Sequence, residues 1–528
     1  MPPVTPSAPP ASAPSGSAGA PPANATAPIP PADPWGIPSG PRDDEAAEPA
    51  PAAAVDLEPW KKARTAKGLA PAPAACAAYA NRGSAKEKAS VVDTLGEKDP
   101  AVRDARLVAL DQAPAFKGAW TRAVRAELAP IECADAITDP YLQTYKPGSP
   151  SDTADRVRLV IGFSLAGKLS RTATAPPSMG AMRANEKEKV KAFINGPLKT
   201  WLVEQSTAIE LLSSGAAGLT GYARGVAAIE AGIAELRLVD KMRSAPVPAT
   251  WDPELKAIYE AALDEALEPR KKRGRDATLV GMSDFARAGI VHDARLDRAR
   301  TLLSKLYGGR RIDALDGLLV PAAAARPPST PEDFAIANVP TVWLQEKDIA
   351  LPDDPRTLAR GVTKSARARF RKLGDGTPDD LRSAYARARF EMGRVYWRRV
   401  DFVEAAHAAK GTDKPEDRLI LALSLSLAMG PNGAADMMRA PTPTALDLRE
   451  TQALDVVAGE GGPLAGMAAY DAAHLRALAP VEGEGLPAYL KDVATRFRKA
   501  ETLLTDPAQK KLAAQRAAEV DAIATSAK

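Results

Sequence analysis

The feature that most constrains this chain is a start signal for helices that recurs along its length. Asp99-Pro100, Asp252-Pro253-Glu254, Thr330-Pro331-Glu332, Thr377-Pro378-Asp379 and Asp506-Pro507 each place a capping side chain before a proline, three of them with an acid next. The Asp or Thr oxygen accepts a bond from an orphan amide of the first turn, the proline has no amide to leave unpaired, and the acid faces the positive end of the helix dipole. The stretch after Asp252 has the matching periodicity. Leu255, Ile258, Tyr259, Ala262, Leu263, Ala266 and Leu267 recur at steps of three and four, with Glu254, Lys256, Glu260, Asp264 and Glu268 off that face. Residues 219–242 and 293–307 read similarly, and alternating β-branched patterns are scarce. The expected fold class is all-α.

Composition fixes how such helices can pack. Aromatic residues are only 5% of 528, so the core must be made of Ala, Leu, Val and Ile, whose small side chains allow close helix contacts and whose alanines favour helix. The 70 basic and 66 acidic residues leave a net charge of +4, too even a balance to draw nucleic acid or anionic lipid by a global field. His292, His407 and His474 lie far apart with no H-E-x-x-H spacing, which removes a sequence-local zinc site. Cys76 and Cys133 are too few for a disulfide framework; one bridge between them stays open. The longest apolar run, Leu419 to Met429, is short of the ~18 residues of a spanning helix and reads as a buried one. The start, MPPVTPSAPP, has neither a basic end nor an apolar segment, so no signal peptide is expected there.

One stretch argues for an enzyme. In LVIGFSLAGKLS, residues 159–170, Gly162, Gly167 and Lys168 almost complete the phosphate-cradling loop G-x-x-x-x-G-K-[ST]. The next residue is Leu169, so the hydroxyl that would hold magnesium is missing. Val157, Leu159, Ile161, Phe163 and Leu165 alternate as a strand would, yet Val157, Val160, Ile161, Leu165 and Leu169 also make a helical stripe behind the caps Ser151 and Asp152. Helix is the reading that fits the surrounding chain, with each glycine costing ~1 kcal/mol relative to Ala unless close packing recovers it. Gly162-Phe163-Ser164 also lacks the second glycine of a hydrolase serine turn, since Ala166 stands there. No cofactor, metal or catalytic residue is assigned.

Residues 1–58 are dominated by Pro, Ala, Ser and Gly and cannot bury enough surface to fold, so a disordered leader is expected. Trp35 and Trp60 stand out in or beside it, Trp35 either as a docking anchor or as an incidental exposed ring. The leader resembles the spacers that follow the lipid-bearing cysteine of exported bacterial lipoproteins. No such cysteine precedes it here, so an envelope tether requires a start upstream. The remaining division is a helical domain at 59–320, a linker-like segment at 321–360, a helical array at 361–480 and capping helices at 481–528. The basic run Arg270 to Arg275 is read as the cationic end of the helix that closes at Glu268. Arg310 and Arg311 are read as partners of Asp313 and Asp316.

The array carries the functional expectation. In DDLRSAYARARFEMGRVYWRRVDFVEAAHAAK, Gly393 is followed by Tyr396, Phe402 and Ala405, so a small residue permits close contact of two antiparallel helices and rings fill the space at their turn. This resembles a tetratricopeptide repeat unit. GPNGAA at 430–435 and GPLAG at 462–466 echo it, placing Ala405, Ala435 and Gly466 30 and 31 apart, short of the family's period of about 34. The resemblance implies stacked helical hairpins, a tetratricopeptide-like α-solenoid, with a concave surface for a protein or peptide partner. Arg387, Arg394 and Arg398 are the candidate partner-binding residues. The expectation is a soluble, non-catalytic scaffold binding other proteins, against two alternatives: an enzyme with a site assembled from distant residues, and a tethered envelope component.

Overall fold

A computed structural model of the chain describes residues 35–38, 54–87, 89–114, 116–147, 152–178, 187–244, 251–307, 315–321, 328–345, 355–372, 377–428, 433–434, 451–478, 483 and 485–526. The described residues are all-α, 73% helical, with no strand and one isolated β-bridge between Ile290 and Gly361. The leader assigned to 1–58 lies outside the described residues except for 35–38 and 54–58.

Among the described residues, twelve α-helices form the first part: α1 (Glu58–Ala63), α2 (Cys76–Ala80), α3 (Val91–Leu95), α4 (Pro100–Leu110), α5 (Ala119–Leu128), α6 (Ala134–Thr144), α7 (Ala154–Leu169), α8 (Lys187–Phe193), α9 (Lys199–Ser214), α10 (Gly221–Arg243), α11 (Pro253–Ala288) and α12 (Ala294–Tyr307). Three of the start signals cap helices as their chemistry requires. Asp99 accepts from the amides of Ala101 and Val102 at the head of α4. Thr330 forms a capping box with Asp333, and Asp506 accepts from the amide of Gln509 at 2.9 Å. At Thr377-Pro378 the cap position falls on Pro378, with no side-chain bond.

The loop-like stretch 159–170 is inside α7, which is buried along nearly its whole length between α5, α6 and α10. Its glycines are contact points. A Cβ at Gly162 would stand 2.5 Å from the Ala223 carbonyl oxygen of α10, and one at Gly167 would stand 2.7 Å from the Asp135 amide of α6. Lys168 points to carboxylates rather than to an anion space: it pairs with Asp139 and, at 3.5 Å, with Asp135. Ser164 accepts from the Trp60 indole at 2.8 Å and donates to Asp139 at 2.5 Å, which fastens α1 to the bundle. Cys76 and Cys133 are joined in a disulfide, with Cα atoms 4.9 Å apart, tying α2 to the turn before α6.

The helix beginning at Pro253 does not stop at Glu268. It runs for 36 residues, through Pro269 and the basic cluster, to Ala288. The cluster therefore is not a helix end. Arg270 and Arg273 reach Glu235 of α10 at 3.1 and 3.3 Å, and the Lys271 ammonium lies 4.5 Å from the centre of the Tyr307 ring. Gly232, Gly274 and Gly281 let α10 and α11 close to distances that any Cβ would block. Those two helices share the most extensive helix–helix interface among the described residues, and it carries the second half of α11 past a proline that removes one backbone bond. Asp316 is paired with Arg300 at 2.8 Å; its expected partners, Arg310 and Arg311, lie outside the described residues.

The described residues of 321–360 hold three short helices, α13 (Pro331–Asn338), α14 (Thr341–Gln345) and α15 (Pro355–Leu358). They are held by distant parts of the chain. Asn338 donates to the Leu95 carbonyl at 3.0 Å, and Glu127 accepts from the Thr341 and Val342 amides at 2.6 and 2.9 Å. Trp343 enters an aromatic group with Phe116 and Trp120. Glu127 is also the end of a buried chain in which Arg295 donates to the Tyr222 hydroxyl at 2.9 Å and Tyr222 donates to Glu127 at 3.1 Å. The Arg295 guanidinium is surrounded by Phe163, Tyr222 and Phe285 at 5.6–5.9 Å and is neutralised by Asp293. Burial pushes the Glu127 carboxyl above its ordinary range, although Arg295 and the two amides oppose this.

The last part comprises α16 (Lys364–Arg371), α17 (Asp379–Tyr396), α18 (Arg399–Ala409), α19 (Pro415–Leu427), α20 (Gln452–Glu460), α21 (Ala465–Ala477), α22 (Leu486–Leu503) and α23 (Pro507–Ser526). From α17 onward the main contacts are between successive helices. Only Trp397 and Arg398 separate α17 from α18, so these two run antiparallel. The reason is visible at Gly393, where a Cβ would lie 2.7 Å from the Phe402 ring. Tyr396 is used differently from the expected groove-filling role: it donates to the Ile290 carbonyl at 3.0 Å, joining the array to the first helices. One apolar core cluster spans both parts. The echo at 430–435 lies outside the described residues apart from Gly433 and Ala434.

Candidate functional site

A groove of about 860 Å³ runs along α17. Asp380, Ser383, Ala384, Arg387, Ala388, Glu391 and Arg394 line it from that helix. Their spacing of three and four puts them on one face. Fourteen residues at 1.5 Å each make the face about 21 Å long. Opposite stand Val291 and His292 after α11, the segment Leu318 to Pro321, Arg356 and Ala359 near α15, and Lys414, Glu416 and Asp417 at the start of α19. Leu318, Leu319, Val320, Ala384 and Ala388 make the floor apolar, and charges of both signs make the rim.

The rim charges are ordered by neighbours. Arg394 donates twice to Glu391, at 3.0 and 2.7 Å. Lys414 pairs with Asp380, whose carboxylate raises the lysine above its ordinary range. Arg387 donates to the Pro321 carbonyl and so holds one wall to the other. Asp417 accepts from Ser383 and, at 2.5 Å, from Thr412. Beneath the wall, Asp471 of α21 accepts from the Leu319 amide at 2.7 Å. Its other oxygen is buried with no hydrogen-bond partner among the described residues. Burial holds this carboxyl well above the usual carboxylate range, with the Leu319 amide and the more distant Arg394 pulling the other way.

Of the three arginines singled out from sequence, the fold brings Arg387 and Arg394 together in this groove and leaves Arg398 out. Seven residues separate the first two, two turns of one helix. Before Arg398 the chain turns at Trp397, whose φ of 53° is left-handed, and the Arg398 side chain lies buried against Asp401 at 3.2 Å. The same aspartate pairs with Arg389 at 2.7 Å, so Asp401 holds both arms of the hairpin. His292 and the 318–321 wall had no sequence signal, because nothing local marks segments that meet α17 only in three dimensions.

Of the groove's carboxylates, Asp380 is paired with Lys414, Glu391 with Arg394, and Asp417 with the hydroxyls of Ser383 and Thr412. Among the described residues no group of three or more His, Cys, Asp and Glu could hold a metal ion, and no helix is long and apolar enough to cross a membrane. No family model, curated protein or solved structure matches this chain.

Proposed function

We propose that this protein is a helical scaffold that binds another protein by taking an extended segment of it into the groove along α17. The observation that carries this reading is the groove itself: about 860 Å³, with an apolar floor and an ordered rim of alternating charge. A length of about 21 Å accommodates roughly six residues of extended peptide at ~3.3 Å each. An apolar floor supplies the affinity of such a site, and fixed rim charges supply register and selectivity. Arg387 and Arg394 recognise acidic positions of the guest, while Glu391 and Asp380 set where basic positions fall.

The test is selection of a random peptide library on the full-length chain and on its Arg387→Glu/Arg394→Glu variant. The wild type should enrich a motif of about six residues with an acidic position that the variant loses or inverts. Enrichment of nothing, or of the same motif by both proteins, refutes the reading.

The Cys76–Cys133 bridge favours an oxidising compartment as the place of work, since such bonds persist outside the reducing cytosol. This supports the exported alternative for location while leaving the scaffold role unchanged. Thiol alkylation of freshly lysed source cells, without reductant, should leave both cysteines unmodified.

A further inference from the structure

Within the first 59 residues Trp35 is the only aromatic residue, and it does not stand free. Its indole faces the Arg418 guanidinium of α19, 4.3 Å from ring centre to cation carbon. Trp35 and Ile37 are both half-buried and pack against the core cluster, with Gly36 exposed between them. Arg418 is prepared for this contact. Glu460, at the end of α20, accepts from it in bidentate fashion, one bond at 2.8 Å, and this pins the plane of the guanidinium. A guanidinium whose edge is occupied by a carboxylate still offers its faces for stacking. Pro34 and Pro38 flank the contact in sequence; they restrict the free chain and lower the entropy lost when it docks.

We infer that the Arg418–Glu460 pair is a recognition site for a short aromatic-glycine-aliphatic-proline segment, and that Trp35-Gly36-Ile37-Pro38 is its tethered occupant. The site takes one ring against the arginine and one branched aliphatic side chain two residues on, across a glycine. A partner protein carrying a segment of the same chemistry competes with the leader for this place. Because the leader is on the same chain, it competes at an effective concentration of about millimolar. Arg418 does not line the groove along α17, so this site stands or falls separately from the peptide groove.

The experiment uses the full-length chain and a fluorescein-labelled synthetic peptide of residues 31–42, PADPWGIPSGPR. Fluorescence anisotropy should show the peptide binding the Trp35→Ala variant at least about tenfold more tightly than the wild type, whose own leader holds the site. The same peptide with alanine at the tryptophan position should not bind. Arg418→Ala and Glu460→Gln, introduced separately into the Trp35→Ala chain, should each weaken binding, with unchanged helical circular dichroism confirming the fold. Arg387→Glu/Arg394→Glu should leave this binding unchanged. Equal affinity for wild type and Trp35→Ala, or no binding to Trp35→Ala at millimolar peptide, overturns the inference. A wild type that sediments as a dimer and becomes a monomer on Trp35→Ala also overturns it, because the occupant is then a second copy.

Discussion

Gly162→Ala tests the packing on which the fold depends, and Gly459→Ala is its control. Both glycines are helical, in α7 and α20. On propensity alone each substitution stabilises by about 1 kcal/mol. At Gly459 nothing lies within 4 Å of the added methyl, so that gain should appear, reduced somewhat by the nearness of the helix end. At Gly162 the methyl would stand 2.5 Å from the Ala223 oxygen and 3.2 and 3.3 Å from the carbon atoms of the same residue. A carbon-to-oxygen contact relaxes at about 3.3 Å, so the two helices must part by roughly 0.8 Å. The obstacle is backbone, which leaves no rotamer to change. A gap of that size forfeits a quarter to a half of the dispersion energy across the lining atoms, and overpacking of this kind costs about 1–3 kcal/mol. The net expectation for Gly162→Ala is a loss of up to about 2 kcal/mol, against the gain at Gly459→Ala. Urea unfolding followed by circular dichroism at constant slope reads both. If Gly162→Ala is as stable as the wild type or more so, α7 and α10 do not meet at this point and the helical reading of 159–170 loses its physical support.

Two further outcomes follow from the chemistry of buried groups. Reducing the Cys76–Cys133 bond, which closes a separation of 57 residues, should cost about 4 kcal/mol by the chain-entropy relation; a thermal midpoint unmoved by reductant refutes it. Asp471→Asn should change how stability depends on pH. Burial holds the native carboxyl above the ordinary aspartate range, so between the ordinary pKa and the raised native one the folded state holds more protons than the unfolded. Stability from this group is therefore greatest at acid pH and falls as pH rises through that window, by at most about 1.4 kcal/mol per pH unit. Asparagine keeps the acceptor for the Leu319 amide and does not titrate. The variant should match the wild type near pH 4 and exceed it at neutral pH, and parallel stability curves across the range would remove the argument.

What could be read from sequence was whatever local chemistry decides. Asp99, Thr330 and Asp506 cap helices because capping involves residues two or three apart. Arg387 and Arg394 share a face because seven residues make two turns. Reading failed where the determining neighbour is distant. Pro269 and the cations after it look like a helix end, and only the fit of Gly274 against Leu236 and of Arg270 against Glu235 explains why the helix continues. The helices of 331–345 are short and weakly periodic; they are fixed by Leu95, Glu127 and Trp120, more than two hundred positions away in sequence. Arg398 misled for a local reason, the left-handed turn at Trp397, which a reading that treats the arginines as one row does not capture. Asp471 and the Arg295 cage left no pattern, because one buried charge among apolar neighbours has no period.

The far end of the molecule has a consequence for how it comes apart. The terminal helix α23 leans chiefly on α22 and buries Ala513, Ala517, Val520 and Ala524, a stripe with little apolar area. Each helix before it has a second neighbour, so amide protons should exchange fastest in α23 and progressively slower toward α17. A protease would then cut first within α23, and the floor beneath Leu319 would be among the last places to open.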